Sequence, residues 1–218
     1  MKRKIVIGIF GALLCSALPL RAEEVKGVSA DDALARLVEG NKRFVEMKLA
    51  HPDQDAACRT TLAKGQQPFA VILGCSDSRV PPEVIYDQGL GNLFVVRVAG
   101  NVADDIDIAS IEYAVEHLGT RLVVVLGHER CGAVTAAVKG GEFPGHLQML
   151  MTALKPAVDK SKNVAGDAVD NAVLANIALT AALLRESKPI LAEMVEKGEI
   201  KIVGARYDLD TGAVELIK

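Results

Sequence analysis

Three short apolar runs constrain this chain more than anything else in it: Phe69 to Cys75, Leu93 to Gly100 and Leu122 to Gly127. Each is rich in Val, Leu or Ile and bounded by Pro, Gly or polar residues. A strand with one wet face alternates apolar and polar residues. A run without that alternation belongs to a strand covered on both faces, as in a parallel sheet packed between helices. The intervening stretches supply the helices. Ile106 to Leu118 places Ile108, Ile111, Ala114, Val115 and Leu118 on one face, and a helix opens at Cys131 and runs to Val138. From Leu147 the chain reads as helical, with breaks expected near Pro156 and Gly166. Ala168 to Arg185 and Pro189 to Gly198 are further helices. Upstream, Ser29 caps a helix that runs to about Lys48, and residues 58–64 form a short one closed by Gly65. Ile200 to Tyr207 is a strand, and Asp210-Thr211-Gly212 turns it back into Ala213 to Ile217. The expected class is α/β: a mostly parallel central β-sheet flanked by helices, with an N-terminal helical arm and a C-terminal hairpin.

Residues 1–22 stand apart. Lys2, Arg3 and Lys4 precede an apolar stretch from Ile5 to Leu14, too short to span a bilayer comfortably, and Leu20-Arg21-Ala22 offers a cleavage site. The expectation is a signal peptide over 1–22 and a single domain over 23–218, periplasmic or secreted, with no stable membrane association after cleavage. Removing four cations (Lys2, Arg3, Lys4, Arg21) and no acid moves the formal charge from −3 to −7. An acidic chain without a basic run is not built for nucleic acid. Half the residues are apolar and only 4% aromatic, so the core rests on aliphatic side chains.

The chemistry gathers where the first and third apolar runs end. Cys75-Ser-Asp77-Ser-Arg79 follows one, and His128-Glu-Arg-Cys131 follows the other. In open α/β sheets, sites form beyond the carboxyl ends of strands. If those two strands are neighbours, Cys75, His128 and Cys131 converge. Two thiolates and an imidazole suit zinc rather than magnesium or calcium, which take oxygen ligands. The fourth position falls to water, or to Asp77 in a closed form. Arg79 can engage Asp77 as a bidentate fork and hold it off the metal. The blander alternative is a Cys75–Cys131 disulfide, which an exported chain could form. Three mature cysteines leave one odd, and Cys58 reads as a spare thiol. Asp87, Glu129 and Arg130 read as solvated charges.

These segments resemble the β-class carbonic anhydrases. The likeness extends through Gly65-Gln66-x-Pro68, Ser76-Asp-Ser-Arg-Val-Pro-Pro-Glu83, Gly91-x-Leu-Phe-Val-Val-Arg97, Ala99-Gly-Asn101, Ile111-Glu-Tyr-Ala-Val115, Val125-Leu-Gly-His128 and Cys131-Gly-Ala-Val134, in family order. The resemblance is strong over about residues 40–140 and weak at Tyr207-Asp208. It implies one zinc per subunit on Cys75, His128 and Cys131, and reversible hydration of carbon dioxide to bicarbonate by metal-bound hydroxide. Asp77 and Arg79 would be the catalytic pair, and Gln66, Phe94 and Tyr113 the substrate-binding residues. It implies a homodimer or tetramer, since the pocket draws partly on a second subunit. Some family members carry a bicarbonate-regulated pocket with Trp, Arg and Tyr. Here Arg97 and Tyr207 match but Ile72 stands at the Trp position, so the chain resembles the unregulated, plant-like branch. Rival readings are another zinc lyase or hydrolase on the same scaffold, such as one acting on carbon disulfide, and a non-enzymatic zinc-binding module.

Overall fold

The computed structural model describes residues 27–217; the expected signal peptide lies outside them. The elements run α1 (Ala30–Val45), α2 (Ala56–Leu62), β1 (Ala70–Gly74), α3 (Pro82–Ile85), β2 (Leu93–Arg97), α4 (Asp105–His117), β3 (Leu122–His128), α5 (Gly132–Lys139), α6 (Leu147–Ser161), α7 (Ala168–Glu186), α8 (Ile190–Glu196), β4 (Lys201–Tyr207) and β5 (Val214–Ile217). The five strands make one sheet in the order β2-β1-β3-β4-β5. The pairs β1–β2, β1–β3 and β3–β4 are parallel, and β5 closes the edge antiparallel to β4 as the expected hairpin.

Every residue of β1 and β3 is buried, as their unbroken apolar runs require. The edge strand β2 is only half-buried along its whole length. Local signals set the helix starts. The Ser29 hydroxyl accepts from the Asp32 amide at α1, and Asp104 and Asp107 close a reciprocal capping box at α4.

Two expectations need correcting. Pro156 does not break α6, which runs through it from Leu147 to Ser161. The missing proline N–H costs one ladder bond, but Met151, Leu154, Ala157 and Ser161 bury a continuous face, and that packing carries the helix past the fault. Asp87 is not solvated. It is 3% exposed, and its carboxylate accepts from Arg43 Nε (2.6 Å) and from the Ala50 and His51 amides (2.9 and 3.0 Å). Burial alone would raise this carboxyl; the two amides and the guanidinium together outweigh it and hold the pKa below the ordinary carboxylate value.

Candidate metal centre

The register brings the two chemistry-bearing stretches together. β1 and β3 are neighbours, so their carboxyl ends open onto the same rim of the sheet. Cys75 is the first residue past β1, His128 the last of β3, and Cys131 the N-cap of α5. The two Sγ atoms and a ring nitrogen of His128 lie within 4.8 Å of one another, and all three residues are buried.

No disulfide joins the cysteines: their sulfurs are 4.0 Å apart, about twice a bonded distance. The two sulfurs sit instead at hydrogen-bond range, and either can be the donor. That contact and the Gly100 amide (3.2 Å) hold the Cys75 thiol well below its ordinary pKa. The same contact and burial push Cys131 up, against the pull of the first amides of α5. Gly100 reaches the sulfur because it turns at φ 68°, a conformation that glycine adopts without strain.

His128 is oriented for ligation. Its Nδ1 lies 2.8 Å from the Glu129 carbonyl oxygen, which can only accept. Nδ1 therefore carries the proton and Nε2 presents a lone pair. Nε2 is buried without a hydrogen-bond partner, one of only two such side-chain atoms among the described residues. An orphaned imidazole nitrogen facing two thiols is what a zinc site looks like from its donors. The chemistry of the donor set fits that ion.

Beside the cluster, Asp77 faces Arg79. Arg79 Nε reaches Oδ1 at 2.9 Å and Nη2 reaches Oδ2 at 2.7 Å, with the Arg79 amide also on Oδ1. The guanidinium hydrogen bonds hold the Asp77 carboxyl well below the usual carboxylate range. Its Oδ2 stands 3.8 Å from His128 Nε2, so this oxygen looks toward the ligands. Arg97 fixes the loop from beneath, donating to the carbonyls of Cys75 (2.9 Å) and Asp77 (2.6 Å).

The remaining site candidates do not join this cluster within one chain. Gln66 is exposed on the loop before β1, at the amino end of that strand. Phe94 is the second residue of β2, opposite Val71, and packs against the half-exposed Tyr113 with ring centroids 6.4 Å apart. Cys58 lies on α2 as a free thiol. Ile72 is fully buried in β1.

The structure also corrects the reading of Glu129 as a solvated charge. Its side chain is 19% exposed and is held by Arg206 Nη2 at 2.5 Å and the Leu209 amide at 3.3 Å. No local signal marks it, because its partners lie 77 and 80 residues downstream. Arg130 is exposed, yet it too has a partner, Asp210 at 2.8 Å.

Comparison with known proteins bears on the whole arrangement. A family model described as carbonic anhydrase matches residues 70–214. Carbonic anhydrase 2 of Mycobacterium tuberculosis is 43% identical over 184 residues, which cover 83% of this chain and 89% of the relative. A carbonic anhydrase of Pseudomonas aeruginosa is 32% identical over 195 residues, covering 83% and 86%. Among solved structures, the β-carbonic anhydrase CcaA aligns at a TM-score of 0.68 with 28% identity, covering 85% of this chain and 95% of that one. A tetrameric β-carbonic anhydrase of Sordaria macrospora aligns at 0.68 with 25% identity, covering 85% and 97%. Sequence relatives and structural neighbours agree over most of the chain, which belongs to the β-class carbonic anhydrases.

Proposed function

We propose that this enzyme hydrates carbon dioxide reversibly at a zinc ion held by Cys75, His128 and Cys131, with Asp77 and Arg79 as the catalytic pair. The observation that carries the reading is the orphaned His128 Nε2, buried against two thiols and opposite a carboxylate kept off the cluster by its own arginine. The β-class is zinc-dependent, and the donors present match that ion.

Zinc, when bound, supplies the Lewis acidity that makes water a nucleophile near neutral pH. The chain does the rest. Cys75 and Cys131 would hold the ion as thiolates and His128 through Nε2. Asp77 Oδ2 has an acceptor direction free toward the ligands, and at neutral pH its depressed pKa leaves it no proton to hold. It therefore orients the attacking water by accepting a hydrogen bond rather than storing a proton. Arg79 keeps that carboxylate ionised and, by engaging both of its oxygens, would restrain it from ligating the ion itself.

A second copy of the chain completes the pocket. β2 is an open, half-buried edge. Two copies related by a two-fold axis at that edge would pair their β2 strands antiparallel. That sets the amino half of one β2, with Phe94 and the nearby Gln66 and Tyr113, beside the carboxyl rim of the other. Phe94 would then wall an uncharged substrate and Gln66 donate to its oxygens. The tetrameric relative supports self-association. The basic and apolar leader makes this an exported enzyme, with the domain working outside the cytoplasm.

Stopped-flow hydration of carbon dioxide, measured with zinc content on the same sample, tests the reading. Asp77→Asn and Arg79→Ala should keep their zinc and lose about 100-fold or more in rate, the scale of losing one preorganised hydrogen-bonding group at a reacting centre. A fully zinc-loaded parent inactive on carbon dioxide at pH 8 would rule it out, and turnover of carbon disulfide by the same sample would point to the rival lyase.

A further inference from the structure

The turn between β3 and α5 contributes two backbone acceptors to the centre. The Glu129 carbonyl receives His128 Nδ1 at 2.8 Å, and the Arg130 carbonyl faces Arg79 Nη2 at 3.4 Å. One short turn thus supports a zinc ligand from one side and the Asp77–Arg79 fork from the other. It is not a relaxed turn: Arg130 sits at φ 49°, where a side chain is disfavoured. Something outside it must hold its shape.

Glu129 is that hold. Its amide donates to the Tyr207 carbonyl at 3.1 Å, continuing the β3–β4 ladder by one residue. Its carboxylate takes Arg206 Nη2 on one oxygen and the Leu209 amide on the other. Arg206 is largely buried and is itself fixed by Asp170 in the first turn of α7, Nε to Oδ1 at 2.9 Å. The path runs from the base of α7 through one guanidinium to one carboxylate, whose own peptide carbonyl orients the ligand imidazole. These contacts are part-buried, and hydrogen bonds between charged groups are shorter and stronger than neutral ones.

We propose that Glu129 and Arg206 are positioning residues for the metal centre: their ion pair locks the Glu129 peptide, and through it the tautomer and ring orientation of His128. Neither side chain touches the ligand position. The proposal rests on the reading of Cys75, His128 and Cys131 as zinc ligands. An outer partner of a ligating histidine usually governs metal affinity about 10- to 100-fold, and this pair controls where that partner stands.

The test uses the full-length protein and two readouts that stability alone does not move: the zinc dissociation constant by chelator competition, and the visible absorption bands of the cobalt-substituted protein. Glu129→Gln keeps the size of the side chain but puts an amide group against either the Leu209 amide or the Arg206 guanidinium. It should weaken zinc about tenfold and shift the cobalt bands. Arg206→Met should do the same, and Arg206→Lys should restore part of both. The double variant Glu129→Gln with Arg206→Met should be no worse than the poorer single, since both break one contact. Parent-like zinc affinity and cobalt spectra in Glu129→Gln and Arg206→Met overturn the proposal, even if both melt earlier. Should Arg206→Met fail to fold, Glu129→Gln decides it by the same criteria. A parent that binds no zinc would overturn the zinc reading itself, and this inference with it.

Discussion

Asp87 lies a short way past Pro81-Pro82, at the end of a four-residue helix, and nothing around it in the chain marks it as special. Its importance is entirely long-range. It ties the end of α1, through Arg43, and the loop at Ala50 and His51 to the turn that follows α3. Asp87→Asn removes the charge that these three donors face and should cost about 2 kcal/mol, below the 3–5 kcal/mol that follows from stripping a buried pair of one partner. The folded-state pKa is depressed, so the stabilisation is fully present above the unfolded carboxylate value of about 4 and fades as pH falls below it. Chemical denaturation of parent and variant should show a constant gap at pH 5–8 that narrows toward pH 3. Cys75, His128 and Cys131 were legible because each stands where an apolar run ends and their residue types are rare. Asp77 and Arg79 were legible because they pair across two positions of one loop. Asp87 and Glu129 were not, because their meaning lies in partners dozens of residues away.

Among the elements, α7 seats the site. It lies across β3 and β4, where Gly127 and Gly204 leave room for Ile177. A Cβ on Gly127 would meet Ile177 Cδ1 and Cγ1 at 2.6 Å, and one on Gly204 would meet Ile177 Cγ2 at 2.8 Å. Gly127 directly precedes His128, so crowding there displaces that imidazole as well as a helix. Gly127→Ala should destabilise by about 1–3 kcal/mol. Adding Ile177→Ala should recover part of that, a non-additivity to be read from thermal melts of the two singles and the double. The glycine was visible in the sequence, but the close approach it permits depends on a residue fifty positions later. The strands themselves were readable because burial on both faces leaves a local signature. Pro156 misled for the converse reason: local propensity argued for a break, and tertiary packing along α6 prevailed.

At the scale of the whole molecule, the two edges of the sheet differ. β5 is a short antiparallel strand of four residues beside β4, while β2 offers a parallel-paired, half-buried edge beside the half-exposed Tyr113 and the exposed Ile106 of α4. Unprotected edges invite pairing. Charges there should oppose it: Ile106→Lys and Tyr113→Lys should shift sedimentation toward a single chain and lower hydration activity while leaving zinc content unchanged. The parallel core was expected from the alternation of elements; the strand order, with β1 seated between β2 and β3, was not. That Gln66, Phe94 and Tyr113 stand apart from Cys75, His128 and Cys131 could be seen only once the strands had direction.

The pairing of β1 with β3 carries one more consequence. Cys75 and Cys131 are 56 positions apart in the chain yet touch across a single strand gap. An ion gripping both, with His128, is a staple as well as a reagent. It pins the ends of a loop that includes β2 and α4, and closing a loop of that length in the unfolded chain is worth about 4 kcal/mol in a chain-entropy picture. Stripping the metal with a chelator should therefore lower the melting temperature by several degrees as well as abolish turnover, and returning zinc should restore both. The side chains proposed to hold the reagent would then also tie the centre of the sheet.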